Sequence, residues 1–165
     1  MPLRLVPVRS DDFPQWMQRC CAEYAADLVA LGGSADEARR HAESSIRESF
    51  PAGHPLEDNA VFDLIDDTGR SVGYLWLGRD QSQDPTSWWV WDVVVDAEYR
   101  GRGLGREAMQ LAEEYARSRG AVTLGLSVFG FNRPARQLYE SLGYEITSVK
   151  MRKSLETAEA PVERS

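Results

Sequence analysis

Several things are scarce in this chain of 165 residues, and each scarcity excludes something. There are only two cysteines, Cys20 and Cys21, and they are neighbours. A bridge between adjacent residues is strained, and neither has another cysteine to pair with. They read as buried thiols on a helix in a reducing, cytoplasmic compartment, not as a disulfide or metal site. The two histidines, His41 and His54, are isolated, so a histidine metal site is not expected. No apolar run is long enough to span a bilayer. Charge and proline interrupt the first residues, Met1-Pro2-Leu3-Arg4-Leu5-Val6-Pro7, which therefore lack a signal-peptide core. An excess of positive charge is also missing. The net charge is −7, and the pI is near 4.9. That balance argues against a general nucleic-acid binder. Internal repeats and interdomain linkers are absent too, and 18.5 kDa suits one domain.

What is present is concentrated around Arg100-Gly101-Arg102-Gly103-Leu104-Gly105. An apolar run from Trp89 to Val95 precedes it, and a helical pattern follows. Glycines let a backbone approach a ligand closely, and a helix start offers unpaired N–H groups. Arg100, Arg102 and Arg106 add cationic charge. The whole reads as a phosphate cradle. It is not a P-loop, because no Gly-Lys-Ser/Thr is present, and its G-x-G-x-G spacing departs from the dinucleotide fingerprint.

Periodicity yields the order β-α-α-β-β-β-α-β-α-β. The first strand spans 3–9. Ser10 or Asp11 caps a helix with Pro14 in its first turn, ended by Gly32-Gly33. Ser34 and Glu37 form a capping box for the second helix, stopped by Pro51. Strands follow at 60–65, 71–77 and 87–95. A helix after the glycine loop ends at Gly120. A strand at 121–128, a helix at 133–142 and a final strand at 145–153 complete the domain, 1–153. Residues 154–165 read as a polar, disordered tail. This order predicts an α/β (α+β mixed) domain, a mixed central sheet with helices on both faces.

About thirty residues after the glycine loop, the chain reads Asn132-Arg133-Pro134-Ala135-Arg136-Gln137-Leu138-Tyr139-Glu140-Ser141-Leu142-Gly143-Tyr144. Together, the R-x-x-G-x-G of Arg100–Gly105 and the Asn, Ala-x-x-Leu-Tyr, Gly-Tyr pattern resemble the GCN5-related N-acetyltransferase superfamily. The resemblance is specific over residues 88–151. It implies a central, mostly antiparallel mixed sheet with a splayed strand pair. It also implies acetyl-CoA as cofactor and an amine acceptor, either a small molecule or a protein amino group; the acidic balance and the lack of a long apolar run give no expectation of a nucleic-acid or membrane partner.

The resemblance carries roles to particular residues. The backbone of Val93, Val94 and Val95 would pair with the pantetheine arm. Arg100, Gly101, Arg102, Gly103, Leu104 and Gly105 would wrap the pyrophosphate. Asn132 caps a helix, and in the family it also bonds the cofactor arm. Tyr139 is the candidate general acid for the leaving thiolate, although its helical spacing equally suits core packing. Asp92 is the candidate base or acceptor-binding residue, since burial would raise its pKa towards a useful value; a structural hydrogen bond is the other reading. A water chain is an equal alternative for the base, and His54, Glu57 and Asp58 are spare candidates. Trp76, Trp88, Trp89 and Trp91 crowd the central strands, with Trp89 and Trp91 on one face and Trp88 on the other. They form core, or one of them holds a cationic acceptor.

The resulting expectation is direct attack of a neutral primary amine on the thioester, without an acyl-enzyme. A non-catalytic acyl-CoA sensor and a nucleotide-binding regulator are the rivals. The retained Tyr139 favours the enzyme. The absent lysine and the 132–144 segment speak against a nucleotide site. The acceptor and the oligomeric state are left open, and similar proteins include dimers.

Overall fold

The computed structural model describes residues 2–156. The outer part of the expected tail, 157–165, lies outside the described residues. Strands are β1 (Arg4–Pro7), β2 (Asn59–Ile65), β3 (Ser71–Arg79), β4 (Ser87–Val95) and β5 (Thr123–Leu126). Helices are α1 (Phe13–Ala30), α2 (Ala35–Ser49), α3 (Leu104–Ser118) and α4 (Arg133–Ser141). The sheet runs β1-β2-β3-β4-β5. The first four strands are antiparallel neighbours, and β4 and β5 are parallel.

Two apolar cores cover the two faces. On one, Leu104, Ala108, Met109, Ala112 and Ala116 of α3 pack on Phe62, Leu75, Leu77, Trp88 and Val90. On the other, Phe13, Trp16 and Cys20 of α1, with Ile46 and Phe50, pack on Val61, Tyr74 and Trp76. Residues one apart on β3 thus enter opposite cores, as a pleated strand requires. The Trp16 ring meets Phe50, Tyr74 and Trp76 edge-on at centroid separations of 5.5–5.8 Å. Such pairs add about 0.5–1.5 kcal/mol each beyond their buried area.

Local signals place most boundaries. The Ser34 hydroxyl accepts from the Glu37 N–H at 3.3 Å and starts α2. Phe50 is buried and Pro51 follows it. Gly32 takes a positive φ of 109° just after α1. Three expectations need correction. Residue Asp12, not Ser10 or Asp11, stands at the start of α1, and no side chain caps it. The first strand and β5 are shorter than their apolar patterns, because pairing ends before the patterns do. The expected strand at 145–153 does not form: this stretch is exposed and lies in no sheet.

Candidate active site

The site begins with a break in the sheet. Register between β3 and β4 shifts by one residue, so that Trp76 faces Asp92 while Leu77 faces Val90. Trp91 is the extra residue of a β-bulge. Strict alternation would send Asp92 to the α3 face with Trp88 and Val90. The bulge turns it to the α1 face. There Asp92 Oδ2 accepts from the Tyr74 hydroxyl at 2.6 Å and from the Cys20 thiol at 3.5 Å.

Burial raises the Asp92 pKa, and the charges of Asp27 and Glu23 add to this; the two hydrogen bonds oppose it. The same burial pushes Tyr74 and Cys20 far up, so both stay protonated and both donate. Among the described residues, Asp92 Oδ1 has no hydrogen-bond donor. Arg19 sits with its guanidinium carbon 5.0 Å from the Tyr74 ring centroid and pairs with Asp96.

Beyond Val90, no strand among the described residues pairs with β4 on the β5 side. Its parallel pairing with β5 stops at Val90 and Leu126, whereas β4 continues to Val95. This is the splayed strand pair. The Asp96 N–H donates to Val72 O, which sets the phase of the β3–β4 ladder. In an antiparallel ladder, alternate residues turn their peptide groups to opposite edges. Val94 therefore spends its backbone on β3, while Val93 and Val95 face the split. Val95 O accepts from Arg100 Nε at 2.9 Å.

The split leads into the glycine loop. Gly101 and Gly103 have φ of 76° and 79°, a region closed to most side chains, and a Cβ on either would meet only open space. Conformation, not crowding, demands glycine at both. Gly105 differs: its Cβ would lie 3.1 Å from Leu138 Cδ2, so it lets α3 approach α4. Leu104 is buried beneath the loop. No side chain caps α3. Among the described residues, no hydrogen-bond acceptor is recorded for the N–H groups of Leu104, Gly105 and Arg106. Three donors at a positive helix end suit an anion. The arginines are partly occupied: Arg102 bonds Glu98 O at 3.2 Å and Arg106 bonds Ser141 Oγ at 2.7 Å. A cleft of about 390 Å³, lined by Arg19, Glu23, Asp96, Ala97, Glu98 and Arg100, adjoins the loop.

Asn132 starts α4, its Oδ1 accepting from the Ala135 N–H at 3.3 Å. Tyr139 packs partly against the α3-side core, 6.0 Å from Tyr144 between ring centroids. Burial and the Asp92 charge raise its pKa. Trp89 and Trp91 share a face at 6.1 Å, and Trp88 is buried on the other. His41 and His54 are exposed, as are Glu57 and Asp58. Among the described residues, the hydrogen bonds to Asp92 come from Tyr74 and Cys20 and from none of these four. Among the described residues no metal-binding cluster occurs, and no helix is long and apolar enough to cross a membrane.

Sequence reasoning missed Tyr74 and the partnership of Cys20 with Asp92. Both residues carried apolar-pattern signals, which explain burial and say nothing of a shared carboxylate.

An open strand edge running into a glycine-rich helix start is an architecture with known relatives. Residues 17–144 match the model of the acetyltransferase (GNAT) family. This chain belongs to that family. The N-acetyltransferase YdgE of Bacillus subtilis (strain 168) is 28% identical over 156 residues, which are 94% of this chain and 99% of YdgE. The crystal structure of YycN from Bacillus subtilis matches with a TM-score of 0.86 at 27% identity, covering 94% of this chain and 99% of that one. A mycothiol acetyltransferase of Kytococcus sedentarius is 40% identical over 88 residues, 52% of this chain but 29% of that protein. The protein is thus a GNAT N-acetyltransferase with the mixed sheet of that family.

Proposed function

We propose that this N-acetyltransferase moves the acetyl group of acetyl-CoA to a primary amine by direct attack. The observation that carries the reading is the unpaired β4 edge at Val93 and Val95, which runs into three N–H groups without recorded acceptors at the start of α3. The residues fit the cofactor. Gly101, Gly103 and the α3 N-terminus would hold its pyrophosphate, with Arg100 and Arg102 beside them. The peptide groups of Val93 and Val95 would pair with the pantetheine arm, and the Asn132 amide nitrogen is available to it. Acetyl-CoA supplies the thioester carbon that the amine attacks.

The protein's own groups manage the protons. Asp92 Oδ1 would take a proton from the incoming ammonium, and its raised pKa makes it a better base. Tyr74 and Cys20 hold the other carboxylate oxygen and fix its aim. Tyr139 stays protonated at neutral pH because burial raises its pKa, so it can donate to the departing sulfur. The N–H of Val95 faces the split, where it can bond the carbonyl oxygen as charge develops on it.

Calorimetric titration with acetyl-CoA tests the cofactor site. Binding by the parent, lost in Gly103→Asp, is the expected result; a folded parent that does not bind overturns the reading. An amine screen then separates enzyme from sensor. Tyr139→Phe should lower turnover by roughly a hundredfold, the usual scale of a lost general acid, with acetyl-CoA binding retained.

A further inference from the structure

The bulge in β4 gathers more than the carboxylate. Trp88 and Val90 enter the α3-side core, so Trp89 between them faces the other way. Trp91, the extra residue, packs on the α1-side core. Its ring centroid lies 6.1 Å from that of Trp89 and 6.0 Å from that of Trp76. A row of indoles therefore ends at the residue beside Asp92, on the face that Asp92 shares. Trp76 is buried, whereas Trp89 and Trp91 are only half-buried. Gly125 of β5 makes room for this floor. It stands opposite Trp89 in the parallel register, between Leu124 and Leu126, which pack on the α3 side. A Cβ on Gly125 would collide with Cζ3 and Cε3 of Trp89. The indole thus lies directly on the β5 backbone and bridges β4 and β5 just below the split.

The stripe of α1 that meets this face changes character along its length. Phe13, Trp16 and Cys20 are buried in the core. The next positions of the same stripe, at three- and four-residue spacing, are Glu23 and Asp27. Cys20 touches Asp92. At the rise of an α-helix, Glu23 and Asp27 follow it by about 5 and about 10 Å along the axis. Both act on Asp92, and the charge of each helps to raise its pKa. Among the described residues neither forms an ion pair, and the neighbouring Arg19 is held by Asp96. Asp92 Oδ1 likewise has no donor among them. Carboxylates gathered without a counter-ion attract a cation. Indole is the aromatic ring that holds one best.

We propose that the acceptor is an amine with a second positive charge, of the alkane-diamine class: one nitrogen reacts at Asp92, and the other stays charged on the floor of Trp89 and Trp91, in the negative field of Glu23 and Asp27. The proposal rests on Asp92 being the base. The reacting nitrogen gives a proton to Asp92 Oδ1 and then its lone pair to the thioester carbon, and the CoA thiolate leaves as the amide forms. The far ammonium takes no part in these bond changes. It lends binding energy, which places the reacting nitrogen. A plain alkylamine lacks that second contact, and an amino acid brings a carboxylate into a field that repels it.

Initial rates of the full-length protein with acetyl-CoA and putrescine, butylamine or γ-aminobutyrate test this. Putrescine should exceed butylamine in kcat/KM by about tenfold, the scale of one partly desolvated cation–π contact, and mainly through KM. γ-Aminobutyrate should be the poorest of the three. Equal values for putrescine and butylamine overturn the proposal, and so does a preference for γ-aminobutyrate. Trp89→Leu and the double variant Glu23→Gln with Asp27→Asn should each shrink the putrescine-to-butylamine ratio. A parental ratio in the folded double variant overturns the proposal, and that variant decides the matter even if Trp89→Leu fails to fold. Calorimetry of the same amines into protein saturated with CoA separates this inference from the catalytic reading. Tighter binding of putrescine without turnover of any amine would count against Asp92 as base and keep the diamine site. Equal binding of putrescine and butylamine, or none of putrescine, would overturn the site.

Discussion

The Tyr74 hydroxyl donates to Asp92 Oδ2 across 2.6 Å, between adjacent strands and beneath α1. Tyr74 is fully buried, and Asp92 is carried to it by the bulge at Trp91. The bond favours the ionised carboxylate against the burial that opposes it.

Tyr74→Phe should therefore raise the Asp92 pKa further. The acidic limb of the kcat/KM profile moves to higher pH, since the base stays protonated longer. Stability falls by about 1–3 kcal/mol, the scale of a lost hydrogen bond to a charged group. A pH–rate profile with a denaturant melt checks both. An unmoved limb would remove Asp92 from the base role.

Asp92→Asn should change how stability depends on pH. An acid whose folded pKa is raised binds more protons folded than unfolded between the two values. For Asp92, stability is then greatest below the ordinary carboxylate value of about 4 and falls as pH rises through the folded value. The asparagine variant lacks that fall. Its melting temperature relative to the parent should climb with pH across this window and then level off. Thermal melts over a pH series check the sign.

Gly103→Ala separates conformation from binding. The left-handed φ costs an alanine about 1–2 kcal/mol, and nothing else obstructs the methyl group. Gly120 also has a positive φ, 90°, with open space around its Cβ position, but lies at the other end of α3. Gly120→Ala should cost similar stability and leave acetyl-CoA affinity unchanged, while Gly103→Ala weakens it. Calorimetry on the two variants makes the comparison.

Asn132 invites a paired test. Asn132→Ala loses the α4 cap and about 1 kcal/mol. Asn132→Asp keeps an accepting oxygen for Ala135 but gives up the amide donors. If those donors meet the cofactor, KM for acetyl-CoA rises in both variants, while only the alanine loses stability. A parental KM in the aspartate variant would reduce Asn132 to a cap.

Legibility followed the range of the interactions. Ser34, Asn132, Gly32 and the pair Gly101 and Gly103 act within a few residues of themselves, so their turns and caps could be read directly. The face of Trp89 and Trp91 could be read from alternation, but Asp92 follows the extra residue Trp91, and only register against β3 shows the bulge. The strand expected at 145–153 failed for a related reason. Its residues have strand propensity, but a strand exists only where a neighbour pairs with it, and among the described residues none pairs with 145–153.

The sequence by itself determined the family, the order of elements through α4, and the glycine loop at the head of α3. Those depend on local backbone conformation and on periodic burial, which neighbouring residues dictate. Tertiary structure alone decided that Asp92 meets Tyr74 and Cys20, that Val93 and Val95 rather than Val94 face the split, and that 145–153 stays unpaired. Each of these depends on which residue of a distant strand or helix stands opposite, and hydrogen-bond register across the sheet sets that match.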